Sequence, residues 1–440
     1  MTKDQKKPKF ESLASKIAKA VEFGWKEGLG PQKPYAAFGF QHDPFAYFSP
    51  DDSTLVETTN FMGVIQRIMG HFSEFYSKKH SINTTEFYEG HHLLVLGTID
   101  SGRTYLLEFA NDALNELSVD NYGNLSTLFI DAGKQWKFTG KRILKTAHKS
   151  DDPVTSKYQQ FTAWLSENEE KIQQTDILFI DNVGCVLNIF EFIINQILDC
   201  GALPLLVASL SIAEYEWIKK EGLQASLDYF SKIPFYLNFS QDPKLTVEIL
   251  QKRLNASNGK NSPFTNESLH AIVGLTFGLP GLTMWLASEV LTHNYNMKEE
   301  NITISAVQHV AKQLGFDAAN YLLKQFDGPT PQQLILQSAL QAAGEARIRL
   351  GHSCNRDYAI LFGGGITNRK LQDTPIIGDR SKSTISHHLK VLSEDNKFLH
   401  VHKKGKSRIY FLERPVLNAL ELIHCKGRQT QDSLQFQLQE

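Results

Sequence analysis

Hydrophobic residues in the central part of the chain occur in five short runs that are separated by helix-length segments. The runs are LLVLG from Leu93, TLFIDA from Thr127, DILFID from Asp176, LPLLVAS from Leu203 and PFYLNF from Pro234. Short, fully apolar runs of this kind are typical of strands that are buried on both faces. Their alternation with helical segments predicts a parallel, doubly wound α/β sheet.

Apolar residues at helical spacing lie on both sides of this α/β region. Residues 53–79 predict one amphipathic helix before it. After Phe239 the pattern is helical throughout, over residues 245–254, 265–277, 282–291 and 305–325. The segment DGPTP at residues 327–331 interrupts this pattern with two prolines, so it marks a domain boundary.

These patterns divide the 440 residues into five predicted regions. They are a basic tail (1–35), an α/β domain with an N-terminal arm (36–240), a helical lid (241–327), a C-terminal domain (332–425) and a short tail (426–440). The arm contains FGFQHDPFAYFSP, in which proline and glycine exclude long regular elements while the aromatic side chains favour burial. We therefore expect the arm to pack onto a following domain.

Composition and charge indicate a folded protein that has no general attraction to polyanions. The chain is 41% hydrophobic and 21% charged, and 46 basic residues against 48 acidic ones give a formal net charge of −2. A nucleic-acid surface would therefore need local clustering of positive charge. The N-terminus carries no apolar signal region and the four cysteines are widely spaced, so we expect a cytoplasmic protein with reduced thiols and no membrane contact.

A glycine turn, GTIDSGRT, follows the first predicted strand. It matches the phosphate-binding pattern G-x-x-x-x-G-K-[ST] except that Arg103 replaces the lysine. In such a turn the backbone N–H groups surround a phosphate and the Thr104 hydroxyl reaches Mg²⁺. Arg103 keeps the positive charge without the compact geometry of lysine, so it either contacts phosphate from a different angle or blocks the pocket.

An acidic strand end completes the predicted nucleotide site. Asp181 ends an apolar strand, where a carboxylate can hold Mg²⁺ at the edge of the sheet, and Ser209 lies near the end of a later strand. We expect ATP or ADP with Mg²⁺ to contact Gly97, Asp100, Ser101, Gly102, Arg103, Thr104, Asp181, Asn182 and Ser209. Because Asn182 cannot accept a proton from water, we expect nucleotide binding with absent or very slow hydrolysis.

A basic helix and hairpin are predicted near the C-terminus. Ile385, Leu389 and Leu392 share one helical face, and a basic turn at residues 403–406 joins two short strands. Residues 380–408 contain eight basic and two acidic residues, a local net charge of +6 that is typical of a polyanion surface. The predicted contacts to double-stranded DNA are Ser383, Thr384, Ser386, His387 and Lys390 in the groove and Lys403, Lys404, Lys406 and Arg408 on phosphates.

Five stretches of the sequence resemble parts of known families. Residues 176–211, DILFIDNVGCVLNIFEFIINQILDCGALPLLVASLS, look like the acid strand, helix and sensor strand of AAA+ ATPases. The segments KIPFYLNFSQDPKLTVEILQKRLNA, FTNESLHAIVGLTFGLPGLTMWLASEVL and ITISAVQHVAKQLG resemble the lid of the origin-recognition and replication-initiator branch. STISHHLKVLSEDNKFLHVHKKGKSRIYFL resembles winged helix-turn-helix domains of the archaeal and ArsR-like kind.

The resemblance implies an AAA+-like P-loop α/β domain with a helical lid, followed by a winged helix-turn-helix domain. It implies a nucleoid-associated protein that binds duplex DNA in origin recognition or replication initiation and associates with itself or with other AAA+ subunits. That branch normally carries a sensor arginine on the lid helix near Gly278, where this chain reads GLPGL. The difference again predicts weak or absent hydrolysis.

Two other functions fit the same residues. The α/β domain can be an inactive scaffold for a winged-helix transcription regulator, in which case DNA affinity would not depend on nucleotide. Alternatively, the chain is an AAA+ adaptor of a mobile element or defence system, which would form filaments or rings with a partner.

Overall fold

The computed structural model describes the central and C-terminal parts of the chain in most detail. The described residues are 34–38, 40, 44–45, 59–79, 92–115, 118–119, 123–132, 153–221, 227–230, 234–237, 243–257, 262–298, 300–325, 330–350, 365–373, 377, 380–404 and 407–437.

A five-stranded parallel sheet forms the central layer, in the order β4-β5-β6-β1-β7. The strands of the α/β domain are β1 (Leu93–Gly97), β2 (Ser118–Val119), β3 (Gly123–Asn124), β4 (Thr127–Asp131), β5 (Ile177–Asp181), β6 (Leu205–Ser211) and β7 (Phe235–Leu237). Every residue of β1, β5 and β6 is buried, which explains their uninterrupted apolar runs. The five predicted strands and the predicted α/β fold class are confirmed.

Helices and one 3₁₀ segment surround this sheet. Helix α1 (Pro34–Ala37) precedes these elements in the chain. The elements around the sheet are α2 (Thr59–Lys79), α3 (Arg103–Asn115), α4 (Pro153–Gln173), the 3₁₀ helix Val183–Ile189, α5 (Phe190–Asp199) and α6 (Ile212–Lys220). Ser211 caps the N-terminus of α6. Its side chain accepts a hydrogen bond from the backbone N–H of Glu214, while the Glu214 carboxylate accepts one from the backbone N–H of Ser211. This capping box fixes the start of α6 at the carboxyl edge of the sheet.

The lid consists of five helices with a core of their own. They are α7 (Pro243–Ala256), α8 (Asn266–Leu275), α9 (Pro280–Met297), α10 (Ile304–Gln313) and α11 (Phe316–Gln325). The sequence pattern predicts one helix over 305–325, but Gly315 adopts a φ of 85° and separates α10 from α11. Phe40 and Phe45 of the N-terminal arm are buried in the lid core, where Phe45 packs edge-on against Phe264.

The C-terminal part has the predicted order of helices followed by a hairpin. It contains α12 (Pro331–Leu350), α13 (Asn368–Gln372), α14 (Lys382–Lys390) with a π-helical turn (Val391–Asp395), β8 (Leu399–Lys404), β9 (Ser407–Leu412) and α15 (Arg414–Gln437). Strands β8 and β9 pair antiparallel, and an isolated bridge joins Ile366 to Tyr410. Ile385, Leu389 and Leu392 are fully buried, as their spacing predicts.

The C-terminal part packs directly against the α/β domain. Ala213, at the start of α6, is buried among apolar residues of α12 and its neighbours. Gly344 of α12 lies so close that a Cβ atom at this position would stand 2.1 Å from the carbonyl oxygen of Ala213. Helix α11 is shared, since Phe316 belongs to the lid core and Leu322 to the C-terminal core. Among the helices described, none has the length and apolar character needed to cross a membrane.

Candidate phosphate-binding site and basic surface

The glycine turn lies at the carboxyl edge of the sheet, between β1 and α3. Strands β1 and β6 are neighbours in the sheet, but the chain runs from β1 to β4 at one edge of the sheet and from β6 to β7 at the other edge. In open α/β sheets, ligands bind in the crevice outside the carboxyl ends of strands at such a point. The register places Gly97 level with Ser211, and Asp181 level with Asp131. Several polar residues therefore lie at the carboxyl ends of neighbouring strands, along this edge.

The structure brings four of the predicted nucleotide-contacting residues together. Three of them donate hydrogen bonds to the carboxylate of the fourth, Asp181. The Thr104 hydroxyl donates a hydrogen bond to Oδ2 of Asp181 over 2.5 Å. The Nδ2 amide of Asn182 donates to the same oxygen over 2.8 Å, and the Ser209 hydroxyl donates to Oδ1. The glycine turn and the acidic strand end therefore meet at one place, although β6 lies between their strands.

Asp181 is completely buried, and this burial raises its pKa above the ordinary value. The charge of Arg103 and the hydrogen bonds from Ser209 and Thr104 act in the opposite direction. A carboxylate beside a threonine hydroxyl is a donor set that suits Mg²⁺, a hard cation that prefers oxygen ligands.

Asn182 has an unusual backbone conformation at the end of β5, with a φ of 59° in the left-handed region. Its backbone N–H donates to the Ser209 hydroxyl over 3.1 Å, and its side-chain amide reaches Asp131 over 3.0 Å as well as Asp181. The side chain thus bridges two carboxylates. Its amide has no capacity to accept a proton from water.

The turn itself has a compact conformation that is closed from the lid side. Asp100 and Gly102 both have positive φ, at 70° and 79°, and the backbone N–H of Ser101 donates to the carbonyl of Thr98 over 3.2 Å. The backbone N–H of Gly281, at the start of α9, donates to the carbonyl of Asp100 over 2.9 Å. A Cβ atom at Gly281 would stand 2.9 Å from the Cα of Asp100, so this approach requires glycine.

Arg103 lies folded over the turn and is only 6% exposed. Its Cδ is 3.1 Å from the position that a Cβ atom would take at Gly97. Its Nη1 atom and the hydroxyls of Thr98 and Ser101 are buried and have no hydrogen-bond partner among the described residues. Unsatisfied buried donors of this kind favour an anion, so the residues present fit a phosphate group.

A further carboxylate reaches the turn from the C-terminal helix. Glu421 of α15 accepts a hydrogen bond from the backbone N–H of Ile99 over 2.6 Å, through Oε2. Its Oε1 accepts a hydrogen bond from the backbone N–H of Ala213 over 3.0 Å. Complete burial raises the pKa of Glu421 to about 7, although these two N–H groups and the charges of Arg103 and Arg347 lower it.

Two further residues of α15 hold the side chain of Asp100. Arg414 donates from Nε to Oδ2 over 2.9 Å and from Nη2 to Oδ1 over 2.5 Å, and Asn418 donates to Oδ2 over 3.1 Å. The guanidinium of Arg414 also lies over the ring of Trp285 in α9, 4.8 Å from its centre. The glycine turn, the lid and α15 therefore meet around Asp100.

Sequence reasoning missed this contribution of α15, although a signal for it exists. Residues 414, 418 and 421 follow at spacings of four and three, which places them on one side of a helix. Asn418 and Glu421 are both fully buried although they lie in the apolar run VLNALELI. Buried polar residues need partners, so this pattern predicts a polar contact for the helix.

Helix α14 presents the predicted groove-contacting residues on its solvent side. Ser383, Ser386, His387 and Lys390 are exposed, and Thr384 is half-buried at the N-terminal turn of the helix. Asn368 of α13 donates to the Ser386 hydroxyl over 2.6 Å, which ties the two helices together. These residues and the nucleotide-contacting set lie on different elements of the fold.

The hairpin and α13 extend the basic surface. Lys403 and Arg408 are exposed and lie opposite each other in the β8–β9 register. The side chain of Lys404 and all of Lys406 lie outside the described residues. Arg369 and Lys370 of α13 are also exposed and add positive charge that sequence reasoning left out. Two lysines have acidic neighbours, since Lys370 is 4.0 Å from Glu345 and Lys390 is 3.7 Å from Glu394.

Comparison with known proteins gives a likeness in structure only. No protein-family model matches the chain, and no curated protein matches it in sequence. The Orc1 protein of Aeropyrum pernix, solved in complex with DNA, is 11% identical with a TM-score of 0.41, over 89% of this chain and 98% of that one. Drosophila ORC bound to DNA is 11% identical with a TM-score of 0.38, over 97% of this chain and 95% of that one.

A third solved structure is the Aeropyrum pernix ORC2 protein in ADPNP–ADP complexes. It is 12% identical with a TM-score of 0.39, over 90% of this chain and 99% of that one. The three structures are thus similar to this chain at 11–12% identity and TM-scores of 0.38–0.41.

Proposed function

We propose that the chain is a nucleotide-binding and DNA-binding AAA+-like protein whose C-terminal winged helix contacts duplex DNA, with a role in origin recognition or replication initiation. The DNA-binding part of this proposal rests on the amphipathic character of α14. Its apolar side is buried in the C-terminal core, while its polar side and the neighbouring hairpin expose a set of cations.

The exposed side of α14 suits a DNA groove. Short hydroxyl groups at Ser383 and Ser386 and the imidazole of His387 are able to reach base edges, while Lys390 contacts the backbone or a base. A helix that is fixed by a buried apolar side and by the bond from Asn368 presents these groups in a defined orientation. The hairpin cations Lys403 and Arg408 would contact phosphates beside it.

The glycine turn supports binding of ATP or ADP with Mg²⁺. Arg103 and the turn would contact phosphate, and Thr104 and Asp181 would hold the metal, since their oxygens lie 2.5 Å apart. When bound, the nucleotide would supply a polyphosphate charge that changes the electrostatics of this edge of the sheet. Because Asn182 follows Asp181, we expect ATP to act by occupancy and not by turnover.

Anisotropy of a labelled duplex of random sequence, measured over a series of salt concentrations, tests the DNA-binding part. The double variant Lys403→Ala/Arg408→Ala should weaken binding and make the slope of log affinity against log salt shallower by about two. Lys312→Ala/Lys324→Ala removes the same charge from exposed positions of the lid and is the matched control. Absence of binding by the unsubstituted chain, or an equal loss in both double variants, would overturn the proposal.

The effect of ATP on the same measurement separates the alternatives. Nucleotide control of DNA binding predicts that ATP with Mg²⁺ changes the affinity, and that the change disappears in Asp181→Asn. An affinity that is independent of ATP would favour the transcription regulator with an inactive scaffold. Filaments or rings that appear only with a partner would favour the adaptor of a mobile element or defence system.

A further inference from the structure

We propose that the carboxylate of Glu421 occupies the place of a nucleotide phosphate on the glycine turn, so that docked helix α15 and a nucleotide exclude each other. This inference rests on the nucleotide binding proposed above. It adds that the site contains its own competitor, which is supplied by the C-terminal part of the same chain.

The hydrogen bonds of Glu421 are those that an anionic ligand would make at this edge. Its two oxygens accept from two backbone N–H groups that belong to separate elements, Ile99 in the turn after β1 and Ala213 in the first turn of α6. Convergent backbone N–H groups of a loop and a helix start are the donors with which α/β proteins bind phosphate. A carboxylate is the side-chain group whose charge and acceptor oxygens most resemble those of a phosphate.

Arg103 provides a second and independent indication that this place is built for an anion. Arg103 is only 6% exposed, and its charge lowers the pKa of both Asp181 and Glu421. One of its terminal nitrogens nevertheless has no hydrogen-bond partner among the described residues. Each oxygen of Glu421 accepts from one backbone N–H group and neither accepts from the guanidinium, whereas a polyphosphate has further oxygens that can reach it.

The remaining contacts of α15 fix Glu421 in this place. Arg414 lies two turns before it and Asn418 one turn before it, on the same side of the helix, and both bind Asp100. A nucleotide that takes the N–H group of Ile99 would have to displace Glu421, and these neighbouring contacts would then be disturbed as well. Replacement of Glu421 by a nucleotide at the glycine turn therefore affects α15 from Arg414 to Glu421.

Displacement of α15 would also affect the proposed DNA-binding surface. Only Glu413 separates strand β9 from α15, so the helix is joined directly to the hairpin that carries Arg408. Leu420 of α15 is buried in the same core as Ile385 and Leu389 of α14. Occupancy of the turn is thus connected to the position of α14 and of the hairpin through one helix.

Binding of ATP with Mg²⁺ to the full chain, measured by calorimetry, tests this inference with three variants. In Glu421→Ala the competitor is absent, and in Glu421→Gln one of the two acceptors becomes a donor that faces an N–H group. Asn418→Ala weakens the docking of α15 without touching Glu421. We expect all three to bind ATP more tightly than the unsubstituted chain, by about tenfold or more if the docked state dominates. Glu289→Gln, an exposed glutamate of the lid, is the matched control and should leave the affinity unchanged.

Hydrogen exchange provides a second measurement on the same proteins. Addition of ATP with Mg²⁺ to the unsubstituted chain should speed amide exchange in residues 414–425, and Glu421→Ala should show fast exchange there without nucleotide. Equal ATP affinity in all variants, with unchanged exchange in α15, would overturn the exclusion while the proposed nucleotide binding stands. No ATP binding by any folded variant would instead overturn the proposed nucleotide binding, and the exclusion with it.

Discussion

Arg414 and Asp100 form an ion pair with two hydrogen bonds that joins the first residue of α15 to the glycine turn after β1. The Asp100 side chain is 4% exposed and that of Arg414 is 39% exposed, so the carboxylate depends on the guanidinium for its solvation. Asp100 is also in the left-handed region, with a φ of 70° that few residues apart from glycine, asparagine and aspartate adopt readily. The pair thus combines a local backbone requirement with a contact between residues that are 314 positions apart.

Removal of the arginine should therefore destabilise the chain more than removal of both charges. Arg414→Ala leaves a buried carboxylate without its main partner, and we expect a loss of about 1–3 kcal/mol in the free energy of unfolding. Asp100→Asn/Arg414→Ala should recover part of this loss, because asparagine tolerates the same φ and carries no charge. Urea denaturation of the two variants measures the difference. Arg408→Ala, an exposed arginine of the hairpin, is the control, and an equal loss in the single and double variants would contradict the prediction.

The docking of Glu421 should make stability depend on pH. Burial raises its pKa from 4.5 to about 7, against the charges of Arg103 and Arg347 that face it. The folded state then holds the proton more tightly than the unfolded state. The contribution to stability is complete below about pH 4.5 and is lost as the pH rises to about 7, with a change of about 3 kcal/mol.

Urea midpoints of the unsubstituted chain and of Glu421→Gln, measured between pH 4.5 and 8, check this dependence. Asp181 also has a raised pKa and contributes a change of the same sign in both proteins, so the informative quantity is the difference between them. That difference should fall with rising pH and become constant above about pH 8. A difference that is constant across the range, or that grows with pH, would contradict the assignment.

The sheet and the edge of the site could be predicted because their signals are local in sequence. Strands buried on both faces leave uninterrupted apolar runs, and parallel strands place their last residues at one edge, which brings Thr104 to Asp181. The contact of Glu421 with Ile99 spans 322 positions and leaves no local pattern. The only signal for it is the presence of two polar residues in the apolar run of α15, which does not identify their partner. The break at Gly315 was likewise hidden, because a single glycine is also tolerated within a helix.

The proposed nucleotide binding without turnover rests on the chemistry of Asp181 and Asn182. We expect ATP to bind more tightly with Mg²⁺ than with EDTA. We expect Asp181→Asn and Thr104→Val to lose most of that difference, because the first removes the negative charge and the second removes the hydroxyl oxygen. Phosphate release should stay at the background level, since no base follows Asp181. Calorimetry and a phosphate-release assay measure the two quantities. Steady hydrolysis at ordinary ATPase rates that is abolished by Asp181→Ala would contradict the second expectation.

Helix α12 packs closely against the start of α6 and so holds Ala213 in position, and Ala213 provides one of the two N–H groups that donate to Glu421. This close packing requires glycine at position 344. Gly344→Ala would place a Cβ atom 2.1 Å from the carbonyl oxygen of Ala213 and 2.9 Å from the backbone nitrogen of Glu214, so α12 has to move away. We expect a loss of about 1–3 kcal/mol in the free energy of unfolding and faster hydrogen exchange in residues 212–220.

Gly274→Ala is the matched control for this substitution, because Gly274 also lies in a helix, α8, but a Cβ atom there would have no neighbour within 4 Å. The change should raise the free energy of unfolding by about 0.5–1 kcal/mol, through the higher helix propensity of alanine. The two substitutions alter the same residue type in the same secondary structure, so propensity alone would give them the same sign. Opposite signs in urea denaturation would assign the effect at Gly344 to the contact with α6, whereas stabilisation in both variants would show that α12 does not approach Ala213 as closely as described.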